Sequence, residues 1–187
     1  MQSMINYFKK MGFSEESLTI FLKQIKTRTF EANEIILFEG QQENYMSFID
    51  KGIVRYYAVH SDKEITFDFA FQNSFYCAYD SFYTRKKTGV YIQAITPCIL
   101  YSISHENLNA LYAICETSKK LGQIATEYLL SKKVKREMDL LLKTPQERYE
   151  ALFTEQSKLI QLIPQKYIAS YIGVVPETLS RIRKRIS

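Results

Sequence analysis

The stretch VVPETLSRIRKR, residues 174–185, holds the side chains whose types and spacing are best suited to chemistry. At about 100° per residue, Glu177, Ser180, Arg181 and Lys184 cluster within about 100° of one another, while Leu179, Ile182 and Ile186 gather on the opposite side. One face can pack and the other is offered. The offered face is equipped for recognition. A guanidinium such as that of Arg181 donates two hydrogen bonds to guanine O6 and N7, and a carboxylate such as Glu177 accepts from cytosine N4; each such contact discriminates by about 1–3 kcal/mol. The Ser180 hydroxyl reaches a base or a phosphate, and Arg183, Lys184 and Arg185 suit phosphate oxygens. Thr178, Gln165 and Lys166 complete the candidate set for contacts to double-stranded DNA.

Such a face needs a support that aims it. The preceding PQKYIASYIG predicts a helix with Pro164 at its start, Ile168 and Ile172 inward, and Gly173 as a left-handed stop. Ala169 is small where a second helix crosses close above it, and Ile168, Ile172, Val174, Leu179 and Ile182 fill the wedge between the two helices. This is the pattern of a helix-turn-helix, whose second helix enters the major groove. Val175 occupies the N-cap of that helix, where a hydroxyl or Asx side chain is preferred.

Upstream, a long helix is predicted over 116–143, ended by TPQER, in which Thr144 caps a further helix with Pro145 at its first position. Leu121, Ile124, Tyr128 and Leu129 form a stripe on the long helix, and the first three are candidates for a two-fold seam with a second copy. Leu130, Val134, Met138 and Leu141 are expected to serve the C-terminal core. From Thr27 to Ser104 the period is two, with TRTF, EIILFEG, YMSFID, GIVRYYAVH, EITFDFAF, VYIQAI and CILYSIS as strands. Seven or eight short strands imply an antiparallel roll, barrel or sandwich. Gly40 and Gly52 mark turns, HSDKE reads as a hairpin tip, and Ser14 caps a short N-terminal helix.

The fold class that results is α+β: an antiparallel roll with an N-terminal helix over 1–115, a dimerisation helix over 116–143, and a helix-turn-helix over 144–187 with its wing truncated or absent. Composition agrees, with 46% hydrophobic and 24% charged residues, as in an ordinary globular chain. The net charge of +5 is concentrated late: residues 1–115 hold 11 Lys/Arg against 12 Asp/Glu, residues 116–187 hold 14 against 8. A basic end on a near-neutral body points to a polyanion partner. No run approaches the roughly 20 apolar residues that span a bilayer, and the start lacks the order of a signal peptide, so a cytoplasmic protein with no membrane partner is expected. Cys77, Cys98 and Cys115 are odd in number and widely spaced, which implies buried apolar residues and neither a disulfide framework nor a metal site.

Together the two halves resemble the Crp/Fnr superfamily of transcription regulators. The residues that carry the resemblance are ILFEGQQENYMSFIDKGIVRYYAVHSDKEITFDFAFQNSF, similar to a cyclic nucleotide-binding β-roll, and YIASYIGVVPETLSRIRKR. The resemblance implies a homodimer that regulates transcription, RNA polymerase as a further partner, and palindromic half-sites similar to TTGAT, read by Glu177, Ser180 and Arg181. It also places the effector-pocket positions. Where nucleotide-binding relatives have a Gly-Glu pair for the ribose and an Arg-Ser pair for the cyclic phosphate, this chain has Cys77 and Ala78, and Thr88 and Gly89. Without that guanidinium a buried cyclic phosphate lacks its charge-assisted partner, so no response to cAMP and no cofactor are expected. Arg85, Lys86 and Lys87 are the nearby cations. The aromatic segment from Phe67 to Tyr91 leaves room for a less polar effector, whose identity the sequence does not give.

Catalysis has no candidate residues: no nucleophile-base arrangement or phosphate loop occurs, and a cupin-like metal centre wants two or three clustered histidines plus a carboxylate, whereas the only histidines, His60 and His105, lie at a hairpin tip and a helix entry. The chain is therefore not expected to be an enzyme. The competing reading is an effector-binding or protein-interaction module whose helix pair does not touch DNA.

Overall fold

The computed structural model describes residues 1–186 except 115 and 156; for residues 116, 117, 120, 121, 124, 128, 154, 155 and 157–159 the description stops at the backbone. The chain forms two compact units, one of Met1–Ala58 with Phe69–Ala125, the other of Val59–Asp68 with Thr126–Ser187.

The first unit opens with α1 (Gln2–Lys10) and α2 (Glu15–Leu22). The Ser14 hydroxyl caps α2 by accepting from the Ser17 N–H at 3.2 Å, as its sequence position predicts. The sequence reading missed α1. Met4, Ile5, Tyr7 and Phe8 give it an apolar face, of which Met4 and Phe8 are buried, and the Phe8 ring lies 4.8 Å from Phe13 and 4.5 Å from Phe21.

Two four-stranded antiparallel sheets follow. The strands are β1 (Lys26–Phe30), β2 (Ile35–Leu37), β3 (Tyr45–Lys51), β4 (Ile53–His60), β5 (Lys63–Phe71), β6 (Phe75–Tyr76), β7 (Tyr91–Ala94) and β8 (Cys98–Ser104). One sheet has the order β1-β8-β3-β6 and the other β2-β7-β4-β5, the interleaving of a roll. In the register of β3 on β8, Ser47 pairs with Ser102, and their hydroxyls lie 2.7 Å apart in the buried interior. Ile49 and Leu100 share that face and are buried with Ile92 of the other sheet, whereas Phe48 and Ile103, on the opposite face, are buried with Met4, Phe8 and Phe21 of the N-terminal helices; Cys77, in that second cluster, and Cys98 are buried thiols. Cys115 lies outside the described residues. The hairpin tip has Ser61 and Asp62 both at positive φ, 49° and 60°, the two-residue turn whose twist matches its strands. Between β6 and β7 lies a short helix, α3 (Tyr79–Thr84), in a segment to which no element was assigned from the sequence, and α4 (His105–Ile114) follows β8.

α5 (Glu116–Leu142) begins in the first unit and continues in the second, which also holds α6 (Pro145–Glu155), α7 (Ser157–Leu162), α8 (Gln165–Tyr171) and α9 (Pro176–Ile186). Thr144 and Glu147 form a reciprocal cap on α6: the Thr144 hydroxyl accepts from the Glu147 N–H at 3.3 Å, and the Glu147 carboxylate from the Thr144 N–H at 2.7 Å. One expectation fails in α5. Leu130, Val134, Met138 and Leu141 do not serve the C-terminal core; they are 64, 51, 47 and 72% exposed. The unit fills its interior instead with Tyr149 and Leu152 of α6, Ile163, and the buried faces of α8 and α9. The side chains of Leu121, Ile124 and Tyr128, the expected seam, lie outside the described residues.

Within this second unit the hairpin tip is held on two sides. The Ser170 hydroxyl accepts from the Thr66 N–H at 2.8 Å and donates to the Glu64 carbonyl at 3.1 Å. Asp68 takes an ammonium on each carboxylate oxygen, Lys132 at 2.8 Å and Lys133 at 2.7 Å.

Candidate nucleic-acid interface

The end of α8 is built to stop. Gly173 adopts φ 78°, its N–H donates to the Ser170 carbonyl at 3.1 Å, and the Val174 N–H reaches back to Ala169 at 2.9 Å. These bonds make a Schellman stop with glycine at the left-handed position. The chain then turns into α9, whose first turn is fixed by Pro176, and the Thr178 and Leu179 N–H groups fall on the Val175 carbonyl at 3.0 and 3.2 Å. Val175 offers no side-chain acceptor and its isopropyl group is largely exposed.

Burial divides α9 as the spacing predicts. Leu179 and Ile182 are buried against Ile168, Ala169 and Ile172, while Glu177, Ser180, Arg181, Arg183, Lys184 and Arg185 are exposed and Thr178 is half-buried. Gln165 and Lys166 at the start of α8 are exposed too, with the Lys166 ammonium 4.7 Å above the Tyr167 ring. Burying the two large aliphatic side chains of α9 contributes roughly 1.5–3 kcal/mol each, enough to hold a helix of three turns whose other side makes no use of packing.

Two residues that the sequence reading passed over fix the end of α8. The Arg148 guanidinium donates from Nε to the Ile172 carbonyl at 2.9 Å, and from Nη1 to the carbonyls of Lys143 at 2.6 Å and Leu140 at 3.2 Å. It thereby ties the end of α5 to the end of α8. Arg136 donates from Nη2 to the Tyr171 carbonyl, and its guanidinium carbon stands 3.9 Å over the Tyr171 ring. Cations suit the carbonyl end of a helix. Neither partnership has a sequence signature, because both arginines are more than twenty residues from the carbonyls at the end of α8 that they cap.

In the first unit the effector-pocket positions Cys77 and Ala78 are taken up by the protein's own groups. Cys77, Ala78 and Thr88 are buried and Gly89 is exposed. Glu43, only 5% exposed, turns its carboxylate onto this segment, accepting from the Ala78 N–H at 3.2 Å and the Tyr45 N–H at 3.0 Å. Burial pushes its carboxyl above the ordinary value, against the lowering by those two amides. The Tyr56 hydroxyl points at the Cys77 carbonyl, 3.4 Å away. Arg85, at φ 60°, donates to the Glu43 carbonyl at 2.8 Å, the Phe82 carbonyl at 3.1 Å and the Asn44 side chain at 2.7 Å. Of the three neighbouring cations it is the one built into the fold; Lys86 and Lys87 are exposed. No group of three or more potential metal ligands occurs among the described residues, and no described helix is long and apolar enough to cross a membrane.

A β-roll followed by a long helix and a terminal helix pair defines an architecture, and comparison places it among known ones. Residues 27–115 match the family model for the cyclic nucleotide-binding domain. Most of the chain shares its fold with solved structures. It resembles CLP of Xanthomonas campestris, described as a c-di-GMP responsive global regulator, at 18% identity and a TM-score of 0.70, over 92% of this chain and 91% of that one. It resembles FixK2 of Bradyrhizobium japonicum at 18% identity and a TM-score of 0.77, over 87% and 84%. A Eubacterium rectale protein assigned as a transcriptional regulator of the crp/fnr family aligns at 14% identity and a TM-score of 0.74, over 93% and 83%. No curated protein sequence matches the chain.

Proposed function

We propose that this chain is a transcription regulator of the Crp/Fnr type that binds DNA as a homodimer, reads a palindromic site through α9, and catalyses no reaction. The observation that carries the reading is the division of α9: its aliphatic side is buried while Glu177, Ser180 and Arg181 stand exposed on one face, with Arg183, Lys184 and Arg185 beside them. Arg181 and Glu177 are the base readers and the remaining cations hold phosphates. The fold shared with CLP, FixK2 and the Eubacterium rectale protein supports the assignment. Dimerisation draws support from the exposed stripe of Leu130, Val134, Met138 and Leu141, an apolar row that a single copy leaves in water.

The roll does not respond to cAMP. A cyclic phosphate near Ala78 would meet the Glu43 carboxylate, which already accepts from that amide, and Arg85 is committed to carbonyls and an amide oxygen. Calorimetry with cAMP is expected to register no binding heat.

The test is retardation of a duplex with two TTGAT-like half-sites about one helical turn apart. Affinity is expected to fall steeply with salt, because phosphate contacts release condensed counterions. A protein that fails to retard this or any selected duplex, at low salt and with or without cell extract, is the interaction module of the competing reading.

A further inference from the structure

Beside the end of α8, in the second unit, the side chains leave a cavity of about 70 Å³ whose walls include Arg136 and Arg148 together with Asp68, Lys132, Lys133 and Asp139. With Lys135, five cations face two carboxylates there. Both carboxylates are already shared. Asp68 lies between Lys132 and Lys133, and Asp139 between Lys135 at 3.0 Å and Lys143 at 2.7 Å. Among the described residues neither guanidinium is paired with a carboxylate. Arg148 places Nε and Nη1 on carbonyls and keeps Nη2; Arg136 places Nη2 on a carbonyl and keeps Nη1, and its Nε is buried without an acceptor. Burial disfavours the charged form of Arg136 and the neighbouring Arg148 adds to this, while Tyr171, Asp68 and Asp139 act the other way. Two half-buried like charges with unused donors around one cavity are the unfinished half of an anion site.

We propose that this cavity binds a phosphate-type oxyanion between Arg136 and Arg148, with Lys132 and Lys133 at its rim. The size suits the class: at about 10–15 Å³ per water-sized group, the cavity of about 70 Å³ has room for roughly five heavy atoms, the number in one phosphate group. Planar guanidinium forks match phosphate oxygens in pairs, which a carbonyl cannot do. Because the two arginines hold the last carbonyls of α8, an anion here stiffens the joint between α5 and the helix pair. The source is either free inorganic phosphate or a phosphate of a polynucleotide backbone. The site does not depend on α9 reading bases.

The test uses the full chain, labelled with nitrogen-15 at arginine, and inorganic phosphate titrated against chloride at constant ionic strength, without DNA. Saturable displacement of the Arg136 and Arg148 Nε–H resonances, assigned through Arg136→Lys and Arg148→Lys, is the expected result. At ten times the dissociation constant the melting temperature should rise by about 3–6 °C, from RT ln 11 and about 2–4 °C per kcal/mol for a chain this long. In Arg136→Gln the phosphate affinity should fall at least about tenfold, the loss of one charge-assisted pair. If a mixed-sequence duplex displaces the same resonances and phosphate competes, the backbone is a source; if phosphate alone displaces them, the ligand is the free ion. Unmoved arginine resonances, or a melting rise equal in wild type and Arg136→Gln, would overturn the site, because general exclusion of phosphate from protein surfaces then accounts for the effect. Should Arg136→Gln fail to fold, the wild-type resonance titration decides alone.

Discussion

Replacing Gly173 with alanine isolates the strain in the turn that sets α9 against α8. At φ 78° an L-residue is disfavoured by about 1–2 kcal/mol. Steric overlap adds nothing, because the new methyl would lie 3.6 Å from Arg148 Nη2 and 3.9 Å from Leu140 Cδ2, ordinary contact distances. Restricting the unfolded chain returns about 0.4–1 kcal/mol. The net loss is up to about 1.6 kcal/mol, a fall in melting temperature of up to about 6 °C. Gly52→Ala supplies the contrast. There φ is 105° and the methyl would stand 2.5 Å from Cys98 Sγ and 2.7 Å from the Pro97 carbonyl, so about 1–3 kcal/mol of overpacking is added to the strain. Urea titrations followed by far-ultraviolet circular dichroism would give both values from the shift in midpoint at constant slope. A Gly173→Ala protein more stable than wild type, or one damaged more than Gly52→Ala, would refute the assignment of strain and space at these turns.

Thr144→Ala removes one side of the reciprocal cap on α6 and should cost about 0.5–2 kcal/mol in the same urea titrations. Burial raises the Asp68 carboxyl, but Lys132 and Lys133 outweigh it and hold the carboxyl below its ordinary value. Its stabilising effect is therefore fully present above the unfolded carboxylate pKa of about 3.9 and lost as pH falls through the lower folded value, so the stability gap between wild type and Asp68→Asn should be flat near neutrality and close below about pH 4. If the exposed α5 stripe is the interface between two copies, Met138→Lys with Leu141→Lys should convert dimer to monomer in sedimentation velocity with little change in melting of the monomer; an unchanged sedimentation coefficient would remove the stripe from the interface.

The helix pair was legible because its information is local. Pro164, Gly173 and Pro176 punctuate it, and the alternation of Leu179 and Ile182 with Glu177, Ser180 and Arg181 separates a packed side from an offered one within a few turns. The roll was legible for a similar reason, its period-two runs being broken by turn residues. α1 was missed although Met4, Ile5, Tyr7 and Phe8 recur at helical spacing, because the run is short and its partners Phe13 and Phe21 come later in the chain. α3 was missed because a helix of six residues takes its support from elsewhere: buried Ser81 accepts from the Glu43 N–H at 2.9 Å and donates to the Lys86 carbonyl. The stripe from Leu130 to Leu141 misled because helical periodicity reports that a face is apolar and says nothing of what covers it. Arg136 and Arg148 were invisible, since basic residues in a helix read as solvent-exposed charge until the carbonyls they cap are in place.

The central claim is that the exposed face of α9 reads base edges, and the most direct measurement is selection of bound duplexes from a random pool with wild type and Arg181→Ala side by side. The account predicts a two-fold symmetric site for wild type, and for Arg181→Ala the loss of preference at one G·C position in each half-site. Binding to the original site should weaken by about 5–150-fold, the equivalent of about 1–3 kcal/mol, with the melting temperature unchanged because Arg181 is exposed. Recovery of the same site by both proteins, or of no symmetric site by either, would contradict it.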